Sequence, residues 1–397
     1  MRVKALLLEN IHPDAVPILE AGGFEVDRRS GSLKGDELAS ALVGVNLLGI
    51  RSNTKVTAEI LKDAPESLLA VGAFCIGTNQ IDLDAAKKRG IACFNAPYSN
   101  TRSVVELAMA EIIALSRRLG DKSMQMHKGV WNKSADGSHE VRGHTLGIVG
   151  YGNIGSQLSI VAEALGMRVL FYDIADKLAL SNAKRCDTLA KLLGKSDFVT
   201  LHVDGRPGNA GFFGAEQIAA MKPGAALLNL SRGFVIDVDA LAQALKDGRL
   251  SGAAIDVYPK EPDNGAAFES PLQGLDNVIL TPHVGGSTLE AQVDIGHYVA
   301  GKLLDYVVTG NTVMSVNLPN VSVPPVEGHR VALIHQNVPG VMARLNAALA
   351  DHEANIGFQS LATQGDVGYA VTDVTGAVPG LVEALEAMPH TIRVRLL

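Results

Sequence analysis

Four polar side chains in the second half of the sequence could perform hydride-transfer chemistry together. Arg232, Asp256 and His283 each stand in or just after a short apolar run, and Glu261 follows Asp256 in the next loop. A histidine, with an unperturbed pKa of about 6.5, can take the proton of a hydroxyl group near neutral pH. A carboxylate on the other ring nitrogen fixes the tautomer and stabilises the imidazolium. His283 is therefore the predicted base and Glu261 its orienting partner.

The other two side chains complete the predicted set. Arg232 can hold a substrate carboxylate with two parallel hydrogen bonds and polarise the neighbouring oxygen. Asp256 can accept a hydrogen bond from a nicotinamide carboxamide. Each residue alone has a simpler interpretation, because an arginine or a glutamate in a loop is more often a solvated charge. Two features favour a catalytic role for the four residues together. They follow a dinucleotide-binding motif, and the glycines after His283 allow close backbone approach.

A dinucleotide-binding unit around the glycines at 150–155 must position these residues. Residues 145–149 predict a buried strand, residues 154–165 have helical spacing, and residues 167–172 predict a second strand that ends on Asp173. Strand, glycine turn, helix, strand and acid form the context that a G-x-G-x-x-G sequence requires. The chain is therefore predicted to bind a dinucleotide.

Each glycine of the turn has a predicted physical role. Gly150 permits the tight turn, Gly152 lets the backbone approach a pyrophosphate, and Gly155 lets the helix pack close to the sheet. The helix N-terminus offers N–H groups and a partial positive charge to the pyrophosphate. Asp173 stands where an acid accepts hydrogen bonds from the adenosine ribose, and it would repel a 2′-phosphate. NAD is therefore the predicted cofactor, in preference to NADP.

The composition is typical of a globular protein with a substantial hydrophobic core. Its 397 residues suggest two or three domains, with 47% hydrophobic and 19% charged residues. A net charge of −7 without a Lys/Arg run argues against a nucleic-acid or anionic-membrane partner. No signal peptide, spanning segment or metal-binding spacing is recognised in the sequence. Three cysteines without a C-x-x-C spacing indicate reduced thiols, so a cytoplasmic location is expected.

The chain has three predicted domains. Alternating strands and helices before residue 100 indicate a small parallel α/β domain that holds substrate. Capping boxes at 103–106 and 287–290 open two long helices that bracket the nucleotide domain, which is therefore predicted to be inserted into the first domain. A proline-rich linker leads to a third unit. The predicted bounds are 1–99 with 287–327 for the substrate domain, 100–286 for the dinucleotide domain and 328–397 for the third unit.

The third unit has the element order βαββαβ, which is the split-βαβ sandwich. Its hairpin turns across Gly365 and Asp366, and in its last strand Arg393 and Arg395 alternate with apolar residues. That alternation predicts one covered face and one polar face. The unit is too small to be a catalytic domain without a motif of its own, so a ligand-sensing or assembly role is predicted.

Four motifs resemble those of the D-isomer-specific 2-hydroxyacid dehydrogenases: 150–155, 229–233, 256–262 and 281–288. The stretches 74–82, 95–104 and 128–133 are similar to those of the family members that act on 3-phosphoglycerate. The resemblance covers essentially the whole chain. It implies an α/β fold with a flavodoxin-like substrate domain and an inserted Rossmann domain. It also implies NAD-dependent oxidation of 3-phospho-D-glycerate to 3-phosphohydroxypyruvate, the first step of phosphorylated L-serine biosynthesis.

The resemblance also implies site residues. Arg232, Glu261 and His283 would be catalytic. The residues that would line the NAD site are Gly150, Gly152, Asn153, Ile154, Gly155, Asp173, Leu230, Ser231, Arg232, Asp256, His283, Val284, Gly285 and Gly286. Those that would bind substrate are Arg51, Ser52, Asn100, Lys133 and Arg232. No metal is implied.

The third unit resembles an ACT regulatory domain of the ferredoxin-like type. Its turn at 335–340 is similar to the serine-binding turn of bacterial enzymes of this kind. The resemblance implies that His335 and Asn337, with Asn355 from a neighbouring chain, bind L-serine as an allosteric inhibitor. It also implies a homo-oligomer, with a tetramer as the expected assembly.

The sequence departs from the family at several positions. Asn53 stands where some similar enzymes have a second arginine, with Arg28, Arg29 and Lys34 as candidates to compensate. Leu230 replaces an alanine, and residues 204–210 replace a loop of prolines and threonines near the cofactor. Two alternatives follow: a dehydrogenase of another acidic 2-hydroxy acid such as 2-hydroxyglutarate, or an NAD-sensing relative without catalysis. The histidine and glutamate of the catalytic set argue against the sensor.

Overall fold

The computed structural model describes residues 3–262, 265–326, 328–376 and 379–397. The chain divides into two compact units. Unit one comprises Met1–Ser99 and Gln292–Leu397, and unit two comprises Asn100–Ala291. The division into three domains stays a prediction, and Glu327, the last residue of the predicted substrate domain, lies outside the described residues.

The first part of unit one is a parallel sheet with strands in the order β2-β1-β3-β4-β5. This order is the flavodoxin-like one, as predicted. Strand β2 was missed because it lies at the sheet edge and carries mostly charged, exposed side chains. The elements are β1 (Val3–Leu7), α1 (Ala15–Ala21), β2 (Phe24–Arg28), α2 (Gly35–Ala41), β3 (Leu47–Ile50), α3 (Ala58–Lys62), β4 (Ala70–Ala73), α4 (Leu83–Lys88) and β5 (Ala92–Asn95).

Unit two is built on a second parallel sheet, with strands in the order β12-β11-β10-β9-β6-β7-β8. The order reverses beside β6, the strand before the glycine turn, so the predicted Rossmann fold is confirmed. The elements are α5 (Thr101–Arg117), α6 (Leu119–His127), β6 (Thr145–Val149), α7 (Asn153–Ala164), β7 (Arg168–Tyr172), β8 (Lys184–Arg185), α8 (Leu189–Leu193), β9 (Phe198–Leu201), α9 (Ala215–Ala220), β10 (Ala226–Asn229), α10 (Val238–Lys246), β11 (Gly252–Ile255) and β12 (Val278–Leu280).

The two predicted capping boxes are wrong in detail. Helix α5 begins at Thr101, so Ser103 lies inside it, and the Ser103 hydroxyl is 2.8 Å from the hydroxyl of Thr288. The next helix, α11 (Leu289–Thr309), is capped by Thr288, whose hydroxyl accepts a hydrogen bond from the Ala291 N–H at 3.2 Å. The Ser103 hydroxyl therefore contacts Thr288, distant in sequence, and does not cap the helix as the sequence suggested.

The rest of unit one confirms the βαββαβ order. The elements are β13 (His329–Gln336), α12 (Val341–Asp351), β14 (Asn355–Gln364), β15 (Val367–Thr375), α13 (Leu381–Glu386) and β16 (Thr391–Leu396). They form an antiparallel sheet in the order β14-β15-β13-β16. The β14–β15 hairpin turns at Gly365, whose φ of +60° suits a residue without a side chain. Strand β14 is an edge strand, paired only with β15 among the described residues.

The arginine face of this sheet is covered, so the prediction of a polar face was wrong. Arg393 is only 9% exposed and donates to the carbonyl oxygen of Leu68 at 2.6 Å. The Arg395 guanidinium lies 4.5 Å from the centre of the Tyr306 ring. Ile334 of the same face joins the hydrophobic core that the first sheet begins. Alternating arginines thus bury their stems and satisfy their charged ends at the backbone.

A buried ion pair joins β13 to β15. Arg330 is fully buried, and its guanidinium contacts both carboxylate oxygens of Asp373, at 2.5 and 2.7 Å. The guanidinium also donates to the carbonyl oxygens of Thr309 and Pro324, both at 2.8 Å. Buried charged groups need hydrogen-bond partners of this number, and removal of Arg330 or Asp373 would leave the other charge buried without compensation. The pair fixes the sheet to the end of α11.

None of the helices in the described part of the chain combines the length and the apolar character needed to cross a bilayer.

Candidate active site

The glycine turn after β6 has the shape that its predicted roles require. Gly150 has a φ of +92°, and a Cβ there would lie 2.5 Å from the His202 carbonyl oxygen. A Cβ at Gly155 would lie 2.3 Å from the carbonyl oxygen of Gly150, so α7 can approach the strand only without a side chain. A Cβ at Gly152 would meet nothing within 4 Å. The N-terminus of α7, with Asn153 and Ile154 in its first turn, is therefore open to a pyrophosphate.

Asp173 lies at the end of β7 and is tied to the same turn. Its carboxylate accepts hydrogen bonds from the N–H groups of Tyr151 and Ala175, both at 2.8 Å. The Tyr151 ring stacks on Phe171 with the ring centres 3.8 Å apart. These contacts fix the acid beside the turn and leave further lone pairs for ribose hydroxyl groups.

His283 and Glu261 form the predicted base and orienter pair. Nδ1 of His283 lies 2.8 Å from a carboxylate oxygen of Glu261, and the other oxygen accepts the Tyr258 N–H at 3.2 Å. His283 has a φ of +55°, a left-handed conformation that is uncommon outside glycine and that is found at functional sites. Glu261 thus engages Nδ1 of the ring and leaves Nε2 outside this contact, and the role of His283 as base stays a prediction.

The two members of this pair shift each other's titration. The hydrogen bond that the imidazole donates to Glu261 is the largest effect on His283, and it raises the pKa of the imidazole above its usual value although burial opposes it. Burial pushes the pKa of Glu261 upward, but the hydrogen bond and charge of His283 outweigh burial and lower it. The positive charge of Arg232 acts on both groups, in each case as a smaller effect. His283 is therefore protonated to a higher pH than an isolated histidine.

Asp256 positions the turn that carries His283. It lies directly after β11 and is 1% exposed. Its carboxylate accepts hydrogen bonds from the Thr281 hydroxyl at 2.7 Å and from the N–H groups of Val284 and Gly285 at 2.8 and 2.9 Å. A Cβ at Gly285 would lie 2.9 Å from this carboxylate. Its contact with nicotinamide stays a prediction.

Arg232 is presented by a turn that Asn229 organises. The Asn229 amide oxygen accepts from the Ser231 N–H at 3.1 Å and from its hydroxyl at 2.8 Å, and the amide nitrogen donates to the Arg232 carbonyl at 3.0 Å. Leu230 between them is buried. A Cβ at Gly233 would lie 1.9 Å from the Tyr258 backbone, which also carries the contact to Glu261. The turn that carries Arg232 and the contact that holds Glu261 thus both involve the backbone of Tyr258.

The predicted substrate residues fall in both units. Asn100 lies in unit two, and a Cβ at Gly286 would be 2.0 Å from its amide nitrogen. Lys133 lies in an exposed irregular segment of the same unit. Arg51 and Ser52 follow β3 in unit one, where the Glu9 carboxylate accepts the N–H groups of residues 51, 53 and 54 at 3.1, 2.9 and 2.8 Å.

The predicted effector residues lie around the ends of β13 and β14. His335 is 2% exposed, and its Nδ1 lies 2.7 Å from the Gln336 carbonyl oxygen. Asn337 donates its backbone N–H to the Asp366 carbonyl and its side-chain amide to the Gly365 carbonyl, at 2.8 and 3.0 Å. Asn355 is the exposed first residue of β14. His335 and Asn337 are thus held together beside the hairpin turn.

Sequence reasoning missed Glu9, Asn229 and Glu111 as site residues. Glu111 lies on α5, 3% exposed, and neither carboxylate oxygen has a hydrogen-bond partner among the described residues. Burial, with a smaller contribution from the charge of Asp256, raises the pKa of Glu111 to about 8. Asn229 could have been recognised as a polar residue that ends a buried strand. Glu9 gave no local signal, because its contacts are distant in sequence.

No group of three His, Cys, Asp or Glu residues in the described ranges is placed to hold a metal ion.

Two family models match the chain. Residues 109–285 match the D-isomer specific 2-hydroxyacid dehydrogenase, NAD binding domain, and residues 331–393 match the AHAS small subunit-like ACT domain. The first match confirms the predicted cofactor, NAD. Both the catalytic set and the glycine turn fall within its bounds.

Relatives of similar length cover the whole chain. It is 52% identical to a D-3-phosphoglycerate dehydrogenase of Haemophilus influenzae, over 100% of this chain and 97% of the relative. It is 48% identical to that of Escherichia coli, over 100% of this chain and 98% of the relative. A crystal structure of D-lactate dehydrogenase from Aquifex aeolicus, complexed with NAD and lactic acid, covers 80% of this chain and 100% of its own, with 27% identity and a TM-score of 0.68. The chain is an NAD-dependent oxidoreductase and belongs to the D-isomer specific 2-hydroxyacid dehydrogenase family, among its D-3-phosphoglycerate dehydrogenases.

Proposed function

We propose that this enzyme oxidises 3-phospho-D-glycerate to 3-phosphohydroxypyruvate with NAD, as the first step of phosphorylated L-serine biosynthesis. The 2.8 Å contact between His283 and Glu261 carries the proposal, because it prepares a base for the proton of a secondary alcohol. The full-length relatives of the same name support the choice of substrate.

The side chains divide the reaction between them. Arg232 binds the substrate carboxylate and polarises the C2 oxygen. His283 takes the C2 hydroxyl proton on Nε2, while Glu261 holds Nδ1–H and stabilises the imidazolium. The turn of Gly152 would hold the pyrophosphate of NAD, which would supply the acceptor for the hydride that leaves C2. In the reverse direction the imidazolium of His283 returns its proton to the oxygen of the oxo acid.

The phosphate end of the substrate is assigned to Arg51, Ser52, Asn100 and Lys133. The support is local to each unit. Glu9 fixes the backbone of the loop that presents Arg51. Arg28 and Arg29, proposed to compensate for Asn53, already have partners, since Arg28 donates to the Ile11 carbonyl and Arg29 contacts Asp27.

Phosphohydroxypyruvate is expected to be a much better substrate than 2-oxoglutarate in the NADH-linked direction. A phosphate dianion accepts hydrogen bonds from two or more cationic or N–H donors. The second carboxylate of 2-oxoglutarate has fewer acceptor oxygens and less charge to offer the same donors. We expect kcat/KM to favour phosphohydroxypyruvate by about 100-fold, which corresponds to about 2.7 kcal/mol. Steady-state kinetics with both oxo acids measures the ratio. Asn53, which has no charge, favours the alternative, and a higher kcat/KM for 2-oxoglutarate would establish it.

L-serine is the proposed allosteric inhibitor, bound by His335 and Asn337 with Asn355 of a neighbouring chain. Two observations support this site. The Nε2 atom of His335 is buried and has no partner in the described part of the chain. The edge of β14 that carries Asn355 is open for pairing with a second copy.

Inhibition by L-serine is expected to disappear in Asn337→Ala and His335→Ala, while kcat in its absence stays within about twofold of the parent, because neither residue belongs to the catalytic set. Initial rates with phosphohydroxypyruvate, across a serine titration, measure this. Asn337 is exposed, so its variant tests the site without disturbing the core. His329→Ala, on the exposed start of the same strand, is the matched control and should remain inhibited. Unchanged inhibition in both effector variants would place the effector elsewhere.

The proposed assembly is a homo-oligomer, with a tetramer expected. Its support, besides the open edge of β14, is a set of exposed apolar side chains on α6 and the segment after it. These residues are Leu119, Met124, Met126, Val130 and Trp131. Exposed apolar groups of this density mark interaction surfaces. A cytoplasmic location is proposed from the buried thiols of Cys93 and Cys186, whose pKa values burial raises.

A further inference from the structure

The loop after β9 is closed on itself by one carboxylate. Asp204 accepts from Nε of Arg206 at 2.7 Å and also contacts a terminal nitrogen of that guanidinium. It further accepts from the Arg206 backbone N–H at 3.3 Å and from the Asn209 amide at 3.0 Å. Asn209 also donates to the Asp204 carbonyl at 2.9 Å. These contacts close the loop of residues 204–210 through the side chains of its own first half and of Asn209.

The same loop lies against the substrate clamp. A Cβ at Gly205 would be 3.2 Å from Nε of Arg232 and 3.7 Å from its Cδ and Cγ atoms. The hydrogen bond with Arg206 is the largest effect that lowers the pKa of Asp204, and the charge of Arg232 lowers it further. Of the two guanidinium groups, that of Arg206 donates hydrogen bonds to the Asp204 carboxylate, whereas that of Arg232 acts on it through its charge.

A carboxylate beside Arg232 is a chemical competitor of the substrate. A 2-hydroxy or 2-oxo acid presents a carboxylate to this guanidinium, and Asp204 carries the same group. Among the described residues, the guanidinium of Arg232 donates from one terminal nitrogen to the Ser231 carbonyl oxygen at 2.7 Å, so its other N–H groups remain for an incoming anion. Which carboxylate occupies those donors depends on where Asp204 is held.

We propose that Arg206 is a positioning residue that holds the Asp204 carboxylate away from Arg232 and so keeps the clamp available to the substrate carboxylate. The inference rests on the proposed role of Arg232. Arg206 gives two donors in a fork that matches a carboxylate, an arrangement that outcompetes a single contact from Arg232. Loss of Arg206 frees Asp204 to pair with Arg232. The affinity for the oxo acid then falls, while the chemical step is unchanged once substrate is bound.

The test is a double-mutant cycle on Arg206 and Asp204 in the full-length enzyme. We expect Arg206→Ala to raise KM for phosphohydroxypyruvate about threefold to fivefold, a modest factor because the Asp204–Arg206 pair is about half exposed. The value of kcat and the KM for NADH should change less than about twofold. The double variant Asp204→Ala/Arg206→Ala should return KM for the oxo acid to the parent value, because it also removes the competitor. Arg206→Lys should lie between parent and alanine variant, since lysine cannot form the fork.

Three results would overturn the inference. The first is an unchanged KM for phosphohydroxypyruvate in Arg206→Ala, and the second is a raised KM that the double variant does not restore. The third is a rise confined to KM for NADH, which would make Arg206 a cofactor ligand. Binding of oxamate, a non-reacting analogue of a 2-oxo acid, to the enzyme–NADH complex gives a second readout by fluorescence. A parent enzyme inactive with both oxo acids defeats the proposed function. Oxamate that binds more weakly to Arg206→Ala and regains the parent affinity in the double variant would still support the role of Arg206. An oxamate affinity without this pattern would refute it.

Discussion

Replacement of His283 by alanine is expected to lower kcat for hydride transfer by about 10³-fold or more. In the proposed mechanism the imidazole exchanges the hydroxyl proton, and general acid–base catalysis typically contributes 10²- to 10⁴-fold. Its position is set by Glu261 on one side and by the turn that Asp256 holds on the other. Stopped-flow or steady-state measurement of NADH oxidation with phosphohydroxypyruvate gives the rate.

The controls separate catalysis from folding. NADH should bind to His283→Ala with a Kd within about threefold of the parent, because the dinucleotide turn is unchanged. Added imidazole should restore part of the rate, since it can occupy the space of the missing ring. His127→Ala, at the exposed end of α6, should keep full activity. Turnover within about tenfold of the parent in His283→Ala would remove the assigned base and revive the NAD-sensing alternative.

The change Glu261→Gln is expected to lower kcat by about 10²- to 10³-fold and to move the pH dependence of the reaction. Glu261 raises the pKa of His283, chiefly through its hydrogen bond. Reduction of the oxo acid needs the imidazolium, so activity is present below this pKa and is lost as pH rises through it. Without the carboxylate the loss should begin at lower pH. Oxidation needs neutral imidazole, so its rise should also move to lower pH.

The profile of kcat/KM from about pH 5 to about pH 10, in both directions, measures this shift because it reports the free enzyme. Glu140→Gln is the control, since Glu140 is an exposed acid in the same unit whose contact is with Arg142. A profile of Glu261→Gln that coincides with the parent after scaling would show that Glu261 does not set the titration of His283.

The sequence predicted the features that depend on local patterns. The glycine turn, the acid after β7 and the βαββαβ order are confirmed as elements of the fold. The family and the cofactor are confirmed by the relatives and by the matching NAD-binding domain. The roles of single residues, including Arg51 and Asn337, stay predictions.

The features that sequence reasoning missed depend on distant contacts. Glu9 follows the first strand, yet its carboxylate holds the loop after β3. Ser103 fits a capping box, but its hydroxyl contacts Thr288, far along the chain. Arg393 alternates as a solvent-facing residue would, yet its charge is satisfied by a backbone carbonyl. Pattern rules read a residue against its neighbours, so they miss a partner that only the folded chain supplies.

Unit one is assembled from the two ends of the polypeptide, and its core joins residues such as Phe94 and Tyr306. A ribosome therefore releases the first sheet long before the helix and strands that cover it exist, whereas unit two emerges as one continuous stretch. During synthesis unit two can mature first, while the amino-terminal segment waits with apolar surface exposed. Early termination near residue 300 should therefore give a chain that chaperones retain, even though its dinucleotide unit is intact.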